Sequence, residues 1–261
     1  MSILHEPTVY VVGRQSVDQE VVARFLDDHG VTWETDTEIG GELLAEMGGR
    51  LCYMSFGSKQ GRKTNDEYLG NILEQRHGSV LEHAVWTFLL AGVSRSLTHE
   101  LVRHRAGWSY SQLSQRYVDE ADTDFVEPDV IVDDPELHAL WLDTVERSKE
   151  VYIKLADGLS ERLKTLQPDL KGTARRKAAR QAARSVLPNA TETKIFVTAN
   201  ARALRHFLEQ RGSEHAEPEI RKLAVKMLQI LQCESPSMFG DFTLRTLPDG
   251  SLATATQNSK V

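Results

Sequence analysis

Cysteine is nearly absent from these 261 residues: only Cys52 and Cys233 occur, far apart and without CxxC spacing. That excludes a disulfide framework and a cysteine-rich zinc site, and leaves buried structural thiols as the expectation for both. Long hydrophobic runs are missing too. No stretch approaches the ~18 uninterrupted apolar residues of a membrane span, and the opening MSILHEPTVY has neither the basic flank nor the apolar core of a signal peptide. A cytoplasmic protein with no membrane partner is therefore expected. No Gly-rich dinucleotide fingerprint follows any predicted strand, so a flavin or nicotinamide site here is not of the Rossmann type.

Charge is plentiful but segregated. Between Asp119 and Glu136 stand nine acidic residues and no basic one, so that without them the formal net charge of −7 becomes +2. From Lys171 to Arg184 the reverse holds: Lys171, Arg175, Arg176, Lys177, Arg180 and Arg184 occur with no acid among them. A basic surface on an acidic protein suits a small anionic ligand better than nucleic acid, which would meet the acidic segment as well.

Thr8 to Val12 reads as a strand, followed by a helix from about Val17 to Asp28 that Ser16 could cap. Thr37 to Leu51 looks helical, and Thr64-Asn65-Asp66-Glu67 is a capping-box pattern opening a helix that stops near His77-Gly78. Glu82 to Gly92 has the length and composition of a buried strand, and Ser94 then caps a helix from Arg95 to Arg105. Asp133 to Leu166 is a long amphipathic helix, open to interruption near Gly158, with Leu137, Leu140, Trp141, Val145, Val151, Leu155, Leu159 and Leu163 on its apolar stripe. Thr173 to Val186 is an alanine-rich helix with Arg176, Arg180 and Arg184 on one face, Ile195 to Thr198 reads as a strand, and helices follow from Ala201 to Gln210 and Pro218 to about Gln232. The expected class is α+β: one helix-rich domain over residues 1–261 with a small mixed or antiparallel sheet, its tail frayed from about residue 248.

The densest polar run is Arg103 to Tyr117, RHRAGWSYSQLSQRY. Arg103, His104, Arg105 and Arg116 mix there with serines and glutamines and no acid, a composition that points to an anion site built from guanidinium forks, hydroxyls and backbone N–H groups, with a solvated basic face as the alternative. His99-Glu100 followed by His104 resembles a zinc-protease helix only superficially. The imidazoles are five residues apart, whereas that chemistry needs i,i+4. His77, Glu82 and His83 are a weaker metal candidate, since hydrogen-bonded histidines are the commoner outcome, and no metal is expected. Asn200, Arg202, His206 and Arg211 gather amide, guanidinium and imidazole donors on one helix. Of the four tryptophans, Trp33, Trp86 and Trp141 suit core packing and Trp108 lies within the polar run.

With these residues in view, the chain resembles the flavin-dependent thymidylate synthases. The run RHRAGWSYSQLSQRYV is similar to the signature of that family, an Arg-His-Arg, a short spacer and a Ser beside Arg-Tyr. His77 to His83, Ala183 to Pro188 and Asn200 to Arg211 resemble three further family segments, in the expected order. The spacer Ala106 to Leu113 is one residue longer than the family's commonest, and Gln112 stands where some members carry Glu.

The resemblance implies that Ser79, Arg103, His104, Arg105, Gln112, Asn200, Ala201, Arg202 and His206 contact FAD. It implies that Glu100, Leu101, Val102, Arg103, Gln112, Leu113, Ser114, Gln115, Arg116, Arg184 and Arg211 hold dUMP. It also implies a homotetramer with active sites at subunit interfaces, and NADPH and 5,10-methylenetetrahydrofolate as co-substrates. Neither Cys52 nor Cys233 lies in a basic motif, so no thiol attacks the uracil ring. Arg211 and Ser114 are the candidate catalytic residues: Arg211 to polarise the ring, Ser114 in a binding role rather than as nucleophile, because no base accompanies its hydroxyl in sequence. A nucleic-acid-binding protein and a histidine-based metal hydrolase are the rival readings of the same residues.

Overall fold

A computed structural model describes residues 1–261. In chain order the elements are β1 (Ile3–Leu4), β2 (Thr8–Arg14), α1 (Gln19–Asp28), α2 (Gly40–Tyr53), α3 (Asn65–Glu74), β3 (Val85–Ser94), α4 (Arg95–Leu101), β4 (Trp108–Gln112), β5 (Phe125–Val126), α5 (Asp129–Val132) and α6 (Pro135–Leu166). There follow α7 (Gly172–Ala183), β6 (Glu192–Asn200), α8 (Ala201–Arg211), α9 (Pro218–Glu234), α10 (Pro236–Phe239), β7 (Phe242–Thr246) and β8 (Leu252–Thr256). Helices dominate and the strands are few, the α+β class expected.

The chain divides into two compact units, each made of separate segments. The first comprises Met1–Thr8, Leu90–Val102 and Ser111–Ile195; the second comprises Val9–Leu89, Arg103–Tyr110 and Phe196–Val261. In the first unit β1 pairs with β5 in parallel, Ile3 opposite Phe125 and Leu4 opposite Val126. Helix α6 packs along α7, with Val145 and Tyr152 buried. The helix runs unbroken through Gly158. Its apolar stripe is less buried than its periodicity predicts: Leu137, Leu140 and Leu155 are exposed. Hydrophobic spacing fixes which face a side chain shares, but not whether a neighbour covers that face.

The second unit holds the larger core. A four-stranded sheet has the order β2-β3-β6-β4. Alternate residues of β3 and β6 are buried, Trp86, Phe88, Ile195, Val197 and Ala199 among them, as a period of two requires. Leu204, Phe207 and Leu208 of α8, Leu223, Leu228 and Leu231 of α9, and Met238 and Phe239 of α10 are fully enclosed. Each such side chain contributes on the order of 1.5–3 kcal/mol.

A polar cluster lies inside the same unit. Glu46, fully buried, accepts from Arg50 Nε (2.7 Å), Trp33 Nε1 (3.1 Å), Thr35 Oγ1 (2.9 Å) and Asn65 Nδ2 (2.8 Å). Arg50 stacks over Tyr68 at 4.4 Å and reaches the carbonyls of Ser55 and Arg62. The loop before α2 is thus tied to a carboxylate that sequence periodicity places in a core, where a charge is tolerated only when every lone pair is used.

Helix starts follow their caps. Thr64 Oγ1 accepts from Glu67 N at 3.3 Å, Ser94 Oγ from Leu97 N at 3.0 Å, and Pro218 is the first residue of α9. Helix α1 is capped by Asp18 rather than Ser16, the carboxylate accepting from Val21 N at 3.1 Å, and α2 opens at Gly40, not Thr37. Helix α4 stops at Leu101, four residues short of expectation. The segment beyond it turns and becomes strand β4, because Trp108, Tyr110 and Gln112 alternate with the exposed Ser109 and Ser111. The tail is not frayed. β7 and β8 form an antiparallel pair, Phe242 opposite Thr256, and Val261 is buried. Both cysteines are exposed, contrary to expectation, because Cys52 and Cys233 fall on the outward faces of the last turns of α2 and α9.

Candidate functional site

A cavity of about 770 Å³ opens in the second unit. Its walls come from three stretches far apart in sequence: the turn Arg103–Trp108, the start and far end of α8, and Lys260–Val261, with Glu82 completing the rim. Five cationic side chains line it, Arg103, Arg105, Arg202, Arg211 and Lys260, against one carboxylate side chain, that of Glu82. Glu82 is partly offset by Arg202, whose Nη1 lies 2.6 Å from it. The balance favours an anionic ligand.

The shape of the turn depends on Gly107. Its φ is +74°, a region that side chains with a Cβ avoid, and an added Cβ would come within 2.7 Å of Asn200 Nδ2, 2.8 Å of Asn200 Oδ1 and 2.9 Å of Ala203 Cβ. Asn200 is held from the other side: its Oδ1 accepts from Ala203 N at 2.9 Å as the cap of α8, and its N donates to Gly107 O at 3.1 Å. The turn and the helix N-terminus are locked together without room for another atom.

His104 sits where the turn meets α8. Arg211 Nε donates to His104 Nε2 at 3.1 Å, and the imidazole packs edge-on to Phe207 at 5.4 Å and His206 at 5.8 Å. Burial, then the charge of Arg211, then His206 push its pKa down to about 4. The ring is therefore neutral at pH 7, with Nε2 as acceptor and the proton on Nδ1. Trp108 lies 6.1 Å from His104 and stacks on Tyr110 at 5.7 Å, nearly parallel, while Tyr110 Oη donates to His104 O at 2.7 Å. Trp108 thus gives the cavity an aromatic ring beside its cationic side chains.

Of the residues singled out from sequence, Arg103, His104, Arg105, Asn200, Arg202, His206 and Arg211 all line this cavity. Ala201 does not: it is fully buried, and its N donates to Ala84 O at 2.8 Å. Ser79 lines a second cavity of about 320 Å³ with Arg76, His77, Gly78 and Cys52, and Arg202 borders both. Glu100, Leu101, Val102, Gln112, Leu113, Ser114, Gln115, Arg116 and Arg184 belong to the first unit. There Gln112 Nε2 donates to Thr98 Oγ1 at 3.0 Å and Thr193 Oγ1 at 3.4 Å, and Ser114 Oγ accepts from Arg116 N at 3.4 Å. Arg184 begins a single helical turn after α7. The arginine stripe of α7 is partly neutralised within the chain, since Arg180 pairs with Asp119 of the acidic segment. No group of three or more His, Cys, Asp or Glu is placed to hold a metal ion, and no helix is long and apolar enough to cross a membrane.

Comparison with known proteins settles the kinship. The family described as thymidylate synthase complementing protein matches residues 36–237. A flavin-dependent thymidylate synthase of Mycobacteroides abscessus is 50% identical over 228 residues, covering 87% of this chain and 89% of the relative. The chain belongs to the flavin-dependent thymidylate synthase family. A second member, from Corynebacterium efficiens, is 46% identical over 237 residues, covering 90% and 93%. The fold recurs in the UMP/dUMP methylase PolB of Streptomyces cacaoi, solved with 5-Br dUMP, at a TM-score of 0.61 with 23% identity, covering 92% of this chain and 96% of that one. Sequence reasoning missed Gly107, Gln210, Lys260 and Val261 as parts of this cavity. Gly107 carried a signal, a glycine inside the polar run, whereas Lys260 carried none.

Proposed function

We propose that the protein is a flavin-dependent thymidylate synthase, converting dUMP to dTMP with 5,10-methylenetetrahydrofolate as carbon donor and NADPH, through FAD, as reductant. One observation carries the reading: the family's signature residues Arg103, His104 and Arg105 share a single cationic cavity with Asn200, Arg202, His206 and Arg211. The site fits a flavin dinucleotide. Its volume lies within the ~300–1,000 Å³ typical of small-molecule sites, its rim offers guanidinium groups for phosphates, and its wall offers flat aromatic surface. When bound, the flavin supplies the hydride chemistry that protein side chains lack.

In this reading Arg103, Arg105 and Arg202 bind and orient the cofactor. Neutral His104, fixed by Arg211, presents its Nδ1 proton as a donor and adds no charge to compete with the guanidinium groups. Arg211 stabilises negative charge developing on the uracil ring, a role that depends on its being pre-positioned. Gln112, Ser114, Arg116 and Arg184, with Glu100 to Arg103, grip dUMP. Ser114 binds rather than attacks. Ser79, in the second cavity that Arg202 also borders, extends the cofactor contacts, and the enzyme works in the cytoplasm as a homotetramer whose subunits share active sites.

The test is a titration of purified apoprotein with FAD, followed by flavin absorbance and fluorescence, with dUMP added afterwards. Stoichiometric binding whose spectrum shifts on adding dUMP is expected, with dTMP formed once NADPH and the folate are supplied. Folded protein that binds no FAD would overturn the reading.

A further inference from the structure

We propose that Lys260, carried on the segment Asn258–Val261, is a ligand for the phosphate groups of the dinucleotide in the main cavity. The assignment rests on the flavin reading above and adds to it a segment that lies outside the residues matched to the family, which end at 237.

The segment is held in place rather than trailing. Asn258 Nδ2 donates to Asp241 Oδ2 at 3.0 Å, and Asn258 O accepts from Arg205 Nη2 at 3.3 Å. Ser259 Oγ and Lys260 N both donate to Glu209 of α8, the backbone bond measuring 3.1 Å. Val261 is buried against Gly78, where an added Cβ would stand 2.6 Å from the valine carbonyl carbon and 3.0 Å from Arg202 Nε. Only a glycine at 78 lets the segment lie this close.

Lys260 itself has φ of +60°, a left-handed conformation that residues with a Cβ adopt only when their surroundings impose it. The carboxylate of Glu209 accepts from the lysine's own N–H and holds the segment at this residue. Lys260 stands in the wall of the cavity that Arg202 and the Arg103–Arg105 turn also line. A solvated surface lysine would need no such anchoring. A flexible ammonium at the rim of a cavity already rich in guanidinium groups is suited to a mobile diphosphate, to which it contributes as a point charge.

The experiment compares wild-type protein with Lys260→Gln and Lys260→Arg, titrating each with FAD and with riboflavin, which carries no phosphate, and recording thermal melts. Losing one charge-assisted contact should weaken FAD binding by at least about tenfold. Riboflavin should bind all three proteins alike, and the arginine variant should recover most of the FAD affinity. The salt dependence of FAD binding should also become shallower in Lys260→Gln. Unchanged FAD affinity in that variant would overturn the assignment. So would a parallel loss for FAD and riboflavin, which would mean that the segment only shapes the cavity. Wild-type protein binding neither ligand would bring down the flavin reading itself, and this assignment with it.

Discussion

Arg211 Nε donates to His104 Nε2 across 3.1 Å, so the arginine fixes the tautomer of the signature histidine and adds to the burial that keeps it neutral. The pKa of His104 in the fold is about 4, against an ordinary 6.5. Between those values the unfolded chain binds a proton that the folded chain does not, so stability rises with pH across the window and is lost as pH falls through it. Urea midpoints measured from pH 7 to pH 4 should fall, and the part of the slope due to this group should vanish in His104→Gln. A His104 imidazole that titrates near 6.5 by NMR would contradict the assignment.

Replacing Arg211 by Lys keeps the charge and loses the fixed Nε donor. Turnover should fall by at least about tenfold, with a smaller change in KM, if the contact matters most where charge develops. Near-normal kcat in Arg211→Lys would remove the proposed role.

Gly107→Ala should damage fold and site together. The left-handed backbone alone costs roughly 1–2 kcal/mol for an L residue, before the clash with Asn200 is relieved. A melting temperature several degrees lower and a weakened FAD titration are expected from the same variant. Alanine tolerated without change in either would mean that the turn can rearrange.

The buried carboxylate of Glu46 gives a sharper test of stability. Arg50→Met strips its charged partner and should cost about 3–5 kcal/mol in a denaturant titration. Adding Glu46→Leu should restore part of that loss, because the second change removes the orphaned charge. A double variant less stable than the sum of the singles would refute this account.

Cys52 and Cys233 should both react with a thiol reagent in native protein without denaturant. A count below two per chain would show that one is covered in solution.

Much of this was readable from residue patterns, and the failures share a cause. Caps at Thr64, Ser94 and Pro218 were legible because a hydroxyl or a proline acts within one turn of itself. The alternation of Trp108, Tyr110 and Gln112 was also present in the sequence, but the run was read for its cations and hydroxyls, and the helix before it was carried on to Arg105. The exposed leucines of α6 and the exposed cysteines could not be read, because exposure is decided by elements distant in the chain. The site was visible in its arginines and histidine. Gly107 needed the approach of Asn200, ninety-three residues later, to be understood. Lys260 needed Glu209.

The cavity draws on residues near 82, 103–108, 200–211 and 260–261, and this spread has a thermodynamic meaning. Contacts so distant in sequence carry the loop-closure cost of the long segments between them. A ligand that bridges those segments in the folded chain and not in the unfolded one acts as a clasp, adding stability in proportion to the logarithm of its concentration over its Kd.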